Sequence, residues 1–102
     1  MYYVYMLRCM DKSLYTGITN DLDKRMKAHF SLRGAKYTKV KGAYKLEVIY
    51  RCKGKSLACR LEYYIKTLKK AEKEKIVSGE KLSNFLSGKV DCRRYYRIYK
   101  NM

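Results

Sequence analysis

The sequence of 102 residues has no proline, no tryptophan, one histidine, and nine acidic residues against 25 Lys and Arg. No apolar run approaches the roughly 20 residues that a membrane-spanning helix requires, so a transmembrane role is not expected. The opening residues 1–8 lack the basic start, apolar centre and small-residue cleavage site of a secretory leader, and the expected location is the cytoplasm. Cys9, Cys52, Cys59 and Cys92 form no CxxC pair. With one histidine to join them, a structural zinc site is not expected; they are read as reduced, largely buried thiols. No repeat, linker or low-complexity stretch interrupts the chain, whose length suits one domain. The shortage of acids leaves a formal charge of +16. So small a body carrying that charge repels itself until an anionic partner neutralises it, which leaves nucleic acid or an anionic membrane surface as partner. A hydrophobic content of 47% is enough for a folded core.

Tyrosine is abundant, with 12 copies. Residues 2–9 are aromatic, β-branched or apolar enough for a strand; residues 10–13 are a polar break, and residues 14–19 a second strand that completes an antiparallel hairpin. Gly17 inside that strand implies a close approach by another group. Thr19-Asn20-Asp21 supplies helix-capping chemistry, and Leu22, Met26 and Phe30 predict an amphipathic helix over about residues 21–30. Residues 35–41 suit one helical turn. Residues 44–51 alternate as a third strand, with Leu46, Val48 and Tyr50 on one face. Ser56 is positioned to cap a helix in which Leu57, Leu61, Tyr64, Ile65 and Leu68 keep helical spacing. A basic segment, residues 69–75, continues as helix to Val77 and breaks at Ser78-Gly79. Leu82, Phe85 and Leu86 suggest a last short helix. The basic, aromatic tail reads as an added strand or a flexible arm.

Tyr5 lies in the middle of the first strand and Tyr15 in the second, two residues before Gly17. Arg25 and His29 are one turn apart on the predicted helix and share a face. Glu62 sits in the long helix, beside core Leu61. In that order, Tyr3-Val4-Tyr5, Tyr15-Thr16-Gly17, Asn20-Asp21-Leu22-Asp23-Lys24-Arg25 and His29 resemble the GIY-YIG nuclease domain. Gly34-Ala35-Lys36-Tyr37-Thr38 and Glu62-Tyr63-Tyr64-Ile65-Lys66 are similar to its small stand-alone bacterial subgroup (YhbQ-like, UPF0213-type). The resemblance spans roughly residues 2–77. Tyr3 and Val4 replace the usual Gly and Ile of the first tripeptide, and Thr16 the Ile of the second.

The resemblance implies an α+β fold, a three-stranded antiparallel sheet flanked by helices in the order ββα-β-α. It makes residues 1–102 one domain with a core of about 2–88 and a basic aromatic tail, 89–102. It also implies divalent-metal-dependent hydrolysis of phosphodiesters, in DNA in preference to RNA, with a role in repair or processing. Tyr15 then matches a general base, Tyr5 its orienting partner, Arg25 the cation on the phosphate and His29 a group in proton transfer. Glu62 matches the ligand of Mg²⁺ or Mn²⁺. Asn84 is carried as a candidate position for the family's late asparagine. Lys24, Lys36, Lys39, Lys66, Lys69, Arg93 and Arg94 are the expected nucleic-acid contacts, and a monomer is expected. A phenol, with a pKa of about 10, is a poor base at neutral pH, and nearby cations favour its phenolate. A guanidinium holds two phosphate oxygens at once.

Each residue also has an ordinary explanation. The tyrosines favour strands; Arg25 is spaced to pair with Asp21, and Glu62 with Lys66; His29 suits a helix C-terminus. The competing functions are a non-catalytic basic module that binds nucleic acid and a subunit of a repair complex.

Overall fold

The aromatic and β-branched start of the chain forms the expected hairpin in a computed structural model, which describes residues 1–31 and 42–99. Strands β1 (Tyr2–Cys9) and β2 (Leu14–Thr19) pair antiparallel, Tyr5 opposite Gly17 and Leu7 opposite Tyr15. Between them Lys12 takes a left-handed backbone, φ 72°. Its carbonyl accepts hydrogen bonds from Arg8 Nη1 at 3.0 Å and Lys70 Nζ at 3.2 Å, which hold the turn in this uncommon conformation. The helical turn expected at residues 35–41, with Lys36 and Lys39, lies outside the described residues.

Strand β3 (Ala43–Cys52) flanks β1 on the side away from β2. Its pairing skips a residue: Met6 faces Val48 but Leu7 faces Leu46, so Glu47 bulges out of the ladder. The bulge corrects the simple alternation expected of this strand. Val48 and Tyr50 stay on one face with Val4 and Met6, while Leu46 turns to the other with Tyr5, Leu7 and Ile49. Glu47 thereby meets Arg8, at 3.1 Å.

The sheet has four strands rather than the expected three, in the order β2-β1-β3-β4. Of the two options for the tail, residues Tyr96–Ile98 take the strand, β4, pairing Ile49 with Ile98 and Arg51 with Tyr96. Two anchors hold it there. The hydroxyl of buried Tyr95 donates to Leu57 O at 2.7 Å, and Arg97 donates to Ile76 O at 2.8 Å and Val77 O at 3.3 Å.

Helices cover both faces. Helix α1 (Leu22–His29) starts where the Asp21 carboxylate accepts from Lys24 N, and it buries Leu22, Met26 and His29. Phe30 was expected on that face but is exposed: at about 100° per residue it points about 80° away from Leu22, whereas His29 falls within about 20°. On the other face lie α2 (Lys55–Thr67), α3 (Lys70–Val77) and the short α4 (Ser83–Leu86). Gly54 precedes α2, so Ser56 lies within the first turn and not at the cap. Ala58, Leu61 and Ile65 of α2 bury against Val4, Met6 and Val48. Cys59, one residue off that stripe, is exposed, unlike the largely buried cysteines expected. Arg8 ties α3 to the sheet through two bonds to Glu74, at 2.5 and 2.6 Å. Among the described residues no helix is long and apolar enough to cross a membrane.

Candidate active site

The register of the hairpin sets the centre of the site. Tyr5 faces Gly17, and its ring lies where a side chain at residue 17 would be. A Cβ there would come within 2.6 Å of the Tyr5 hydroxyl and 2.8 Å of Cζ. The group that approaches the glycine is therefore the phenol of the neighbouring strand. Helix α1 crosses the same face and brings two polar side chains to that hydroxyl. Arg25 Nε donates to it at 3.2 Å, and His29 Nε2 lies 2.7 Å away. The Tyr15 ring completes the group, its centroid 5.3 Å from His29 and 6.2 Å from Tyr5. Four predicted residues from three elements thus converge.

Burial sets their protonation. Tyr5 and His29 are almost fully buried. Loss of water pushes the Tyr5 phenol up to about 12, although the hydrogen bond from Arg25 pulls the other way. Burial, followed by the charge of Arg25, draws His29 down to about 4. At neutral pH the phenol keeps its proton and the imidazole is neutral. With Arg25 donating to the phenol oxygen, the phenol proton goes to His29 Nε2, and this network assigns the imidazole proton to Nδ1. Arg25 is held firmly charged, by Tyr5 foremost and also by Tyr15. The site therefore holds one fixed cation, one buried neutral donor–acceptor chain, and one half-exposed phenol, Tyr15.

Glu62 stands apart on α2, half-buried, 3.3 Å from Lys66 in the i,i+4 pair that helical spacing favours. Its link to the cluster is electrostatic: its negative charge is one of the influences raising the Tyr5 pKa, and the weakest of them. Among the described residues, no three of His, Cys, Asp and Glu converge as a metal cage. A single carboxylate such as Glu62 suits a hard divalent ion, with waters and substrate phosphate filling the remaining positions.

The other predicted residues are spread over the surface. Lys24, Lys66, Lys69, Arg93 and Arg94 are exposed, and Arg93 is engaged by Asp91 at 3.1 Å. Asn84 is on α4, across the sheet from the tyrosines, and donates to Glu80 at 3.4 Å. Sequence reasoning missed the Arg8–Glu47–Glu74 cluster, because only the bulge turns Glu47 toward Arg8. It also missed the buried Thr16 hydroxyl, which has no hydrogen-bond partner among the described residues.

Residues 1–75 match the family model of the GIY-YIG catalytic domain, a domain of nucleases. A UPF0213 protein of Fusobacterium nucleatum is 49% identical over 77 residues, 76% of this chain and 77% of its own. One from Clostridium perfringens is 46% identical over 82 residues, 80% of this chain and 88% of its own. The solution structure of a UPF0213 protein from Bacillus halodurans is similar at a TM-score of 0.51 and 46% identity, covering 76% of this chain and 84% of that one. The α+β architecture, the ordered tyrosines and these matches agree: the chain belongs to the GIY-YIG family, in its UPF0213 group.

Proposed function

We propose that the protein is an endonuclease that hydrolyses phosphodiester bonds in DNA with the help of Mg²⁺ or Mn²⁺, in repair or processing. The observation that carries this reading is the chain Arg25–Tyr5–His29, packed against Tyr15 and built on Gly17. Arg25 is a permanent cation beside two phenols, suited to bind a phosphate oxygen and to stabilise the charge that grows on it. Tyr5, protonated and fixed from both sides, orients the water and the phosphate and is not the terminal base; a proton it takes up displaces its own to His29. Tyr15, half-exposed and within reach of Arg25, acts as a phenolate: it takes the proton of the attacking water and becomes the neutral phenol. His29, neutral with a basic nitrogen directed at Tyr5, relays or accepts a proton through that phenol. Glu62 would hold the divalent ion, which when bound polarises the phosphoryl group and steadies the leaving oxygen. Nucleic acid is the partner, gathered by the charge of +16 and by Lys24, Lys66, Lys69, Arg93 and Arg94.

One observation favours a second reading, a binding module without catalysis: the Glu62 carboxylate is already paired with Lys66. Cleavage of labelled single-stranded, duplex and branched DNA and of RNA, with Mg²⁺, Mn²⁺ or EDTA, separates the two. Metal-dependent cleavage by the wild type that Tyr15→Phe and Glu62→Ala both abolish, with binding retained, establishes the nuclease. Binding by all three proteins with no cleavage by any establishes the module.

A further inference from the structure

The strand that the tail adds changes what the sheet displays. One row of paired residues crosses all four strands: Thr19 of β2, Tyr3 of β1, Arg51 of β3 and Tyr96 of β4. Directly paired residues point to the same face. The next row along is Gly17, Tyr5, Ile49 and Ile98, so the first row shares the face of the candidate active site, about 7 Å further along the strands. Tyr3 and Ile98 pack against the Tyr5–Ile49 cluster, which confirms the shared face. Helix α1 covers this face over β1 and β2, where Tyr3 is half-buried, whereas Arg51 and Tyr96 are open to solvent, Tyr96 at 59%. An exposed guanidinium is thus flanked on adjacent strands by two phenol rings.

We propose that Tyr3, Arg51 and Tyr96 form a docking platform for unpaired bases of a bound polynucleotide strand. The platform deepens the nuclease reading and rests on it for the identity of the polymer. Every base has a π-face, and aromatic rings and guanidinium planes on an open antiparallel sheet stack bases without reading sequence. Charge also orients the strand. Asp21 and Asp23 line a cleft of about 200 Å³ with Tyr3 and Ile98, and they repel phosphate from that side. The backbone of the strand therefore takes its charge contact from the exposed Arg51, within the row, and not from that cleft. Tyr96 lies beyond the residues matched by the family model, so the platform depends on this chain's own tail.

The test is fluorescence anisotropy with the full-length protein in EDTA, using a labelled oligo-dT and an abasic strand with the same number of phosphates. Wild type is expected to prefer oligo-dT. Tyr96→Ala should weaken oligo-dT binding about 5- to 150-fold, the effect of one lost base–aromatic stack, and leave abasic binding unchanged, while Tyr96→Phe keeps wild-type affinity. Arg51→Gln should weaken both, because it removes a phosphate contact as well as a stacking surface. Equal wild-type affinity for the two strands, or equal losses on both in Tyr96→Ala, overturns the platform. Circular dichroism and thermal melts of each variant identify any loss of fold, and if Tyr96→Ala unfolds, Tyr96→Val, which suits a strand but removes the ring, takes its place with the same expected loss on oligo-dT alone. The nuclease reading fails separately, on cleavage in Mg²⁺ or Mn²⁺: a stacking preference without cleavage leaves the platform standing and removes the enzyme.

Discussion

Gly17→Ala puts the packing of the candidate site under direct load. The added methyl would come within 2.6 Å of the Tyr5 hydroxyl and 2.8 Å of Cζ, distances that require movement. The Tyr5 ring has little room to move, since its hydroxyl is held at 3.2 Å by Arg25 and at 2.7 Å from His29. Overpacking costs about 1–3 kcal/mol. Losing the bond from charged Arg25 adds up to about 1.5–3 kcal/mol if the ring swings clear. Against this, alanine lowers the entropy of the unfolded chain by about 0.4–1 kcal/mol in an extended backbone that it can adopt. The expected net loss is about 2–4 kcal/mol, from a domain whose whole stability is about 5–15 kcal/mol. Urea denaturation of wild type and variant measures it directly. The same substitution in a Tyr5→Phe background removes the closest contact and both hydrogen bonds, so the loss there should be smaller by at least about 1 kcal/mol. A loss below about 0.5 kcal/mol, or equal losses in the two backgrounds, would refute the claim that residue 17 is glycine to make room for the phenol.

Thr16→Val should raise stability by about 1 kcal/mol, seen as a higher urea midpoint at unchanged slope, because it removes a buried hydroxyl that has no partner among the described residues. His29 is held neutral with its pKa lowered to about 4, whereas the unfolded chain takes up that proton near pH 6.5. Its contribution to stability is therefore fully present above about pH 6.5 and is lost as pH falls through the window down to about 4. Urea titrations at pH 7, 5.5 and 4.5 should show a steeper decline in wild type than in His29→Gln; parallel declines would contradict the burial argument. Arg8→Met should cost about 2 kcal/mol by thermal or urea unfolding, since it removes the cation that Glu47 and Glu74 share and leaves Glu47 only the exposed Lys45, 3.7 Å away. Glu74→Gln, which keeps one hydrogen-bonding partner for Arg8, should cost less.

Much of this site was legible because its parts follow local rules. Alternating aromatic and apolar residues gave β1 and β2, and their register brings Tyr5 over Gly17. The Asp21 cap fixes the start of α1, and helical spacing puts Arg25 and His29 on the side that meets the sheet. What escaped depends on non-local pairing. The bulge at Glu47 follows from how β3 fits β1, and nothing in residues 44–51 alone marks it. The choice of strand over arm for the tail rests on Tyr95 reaching Leu57 and on Arg97 reaching the end of α3, contacts 38 and about 20 residues apart in the chain. Phe30 was misplaced by a strict four-residue repeat, which drifts off a helix of 3.6 residues per turn.

The short last strand has a further consequence, for solubility. Strand β3 has ten residues, and without β4 its outer edge would be an open ladder of backbone donors and acceptors. Such edges recruit other chains into cross-strand assemblies. β4 covers Ile49, Tyr50 and Arg51 with three residues of its own. The rest of that edge is interrupted by the bulge at Glu47 and carries the exposed Lys45, both of which discourage pairing with a stranger. A chain cut before Tyr95 would lose the cover and its anchor together, and should self-associate on concentration even where its hairpin and helices remain folded.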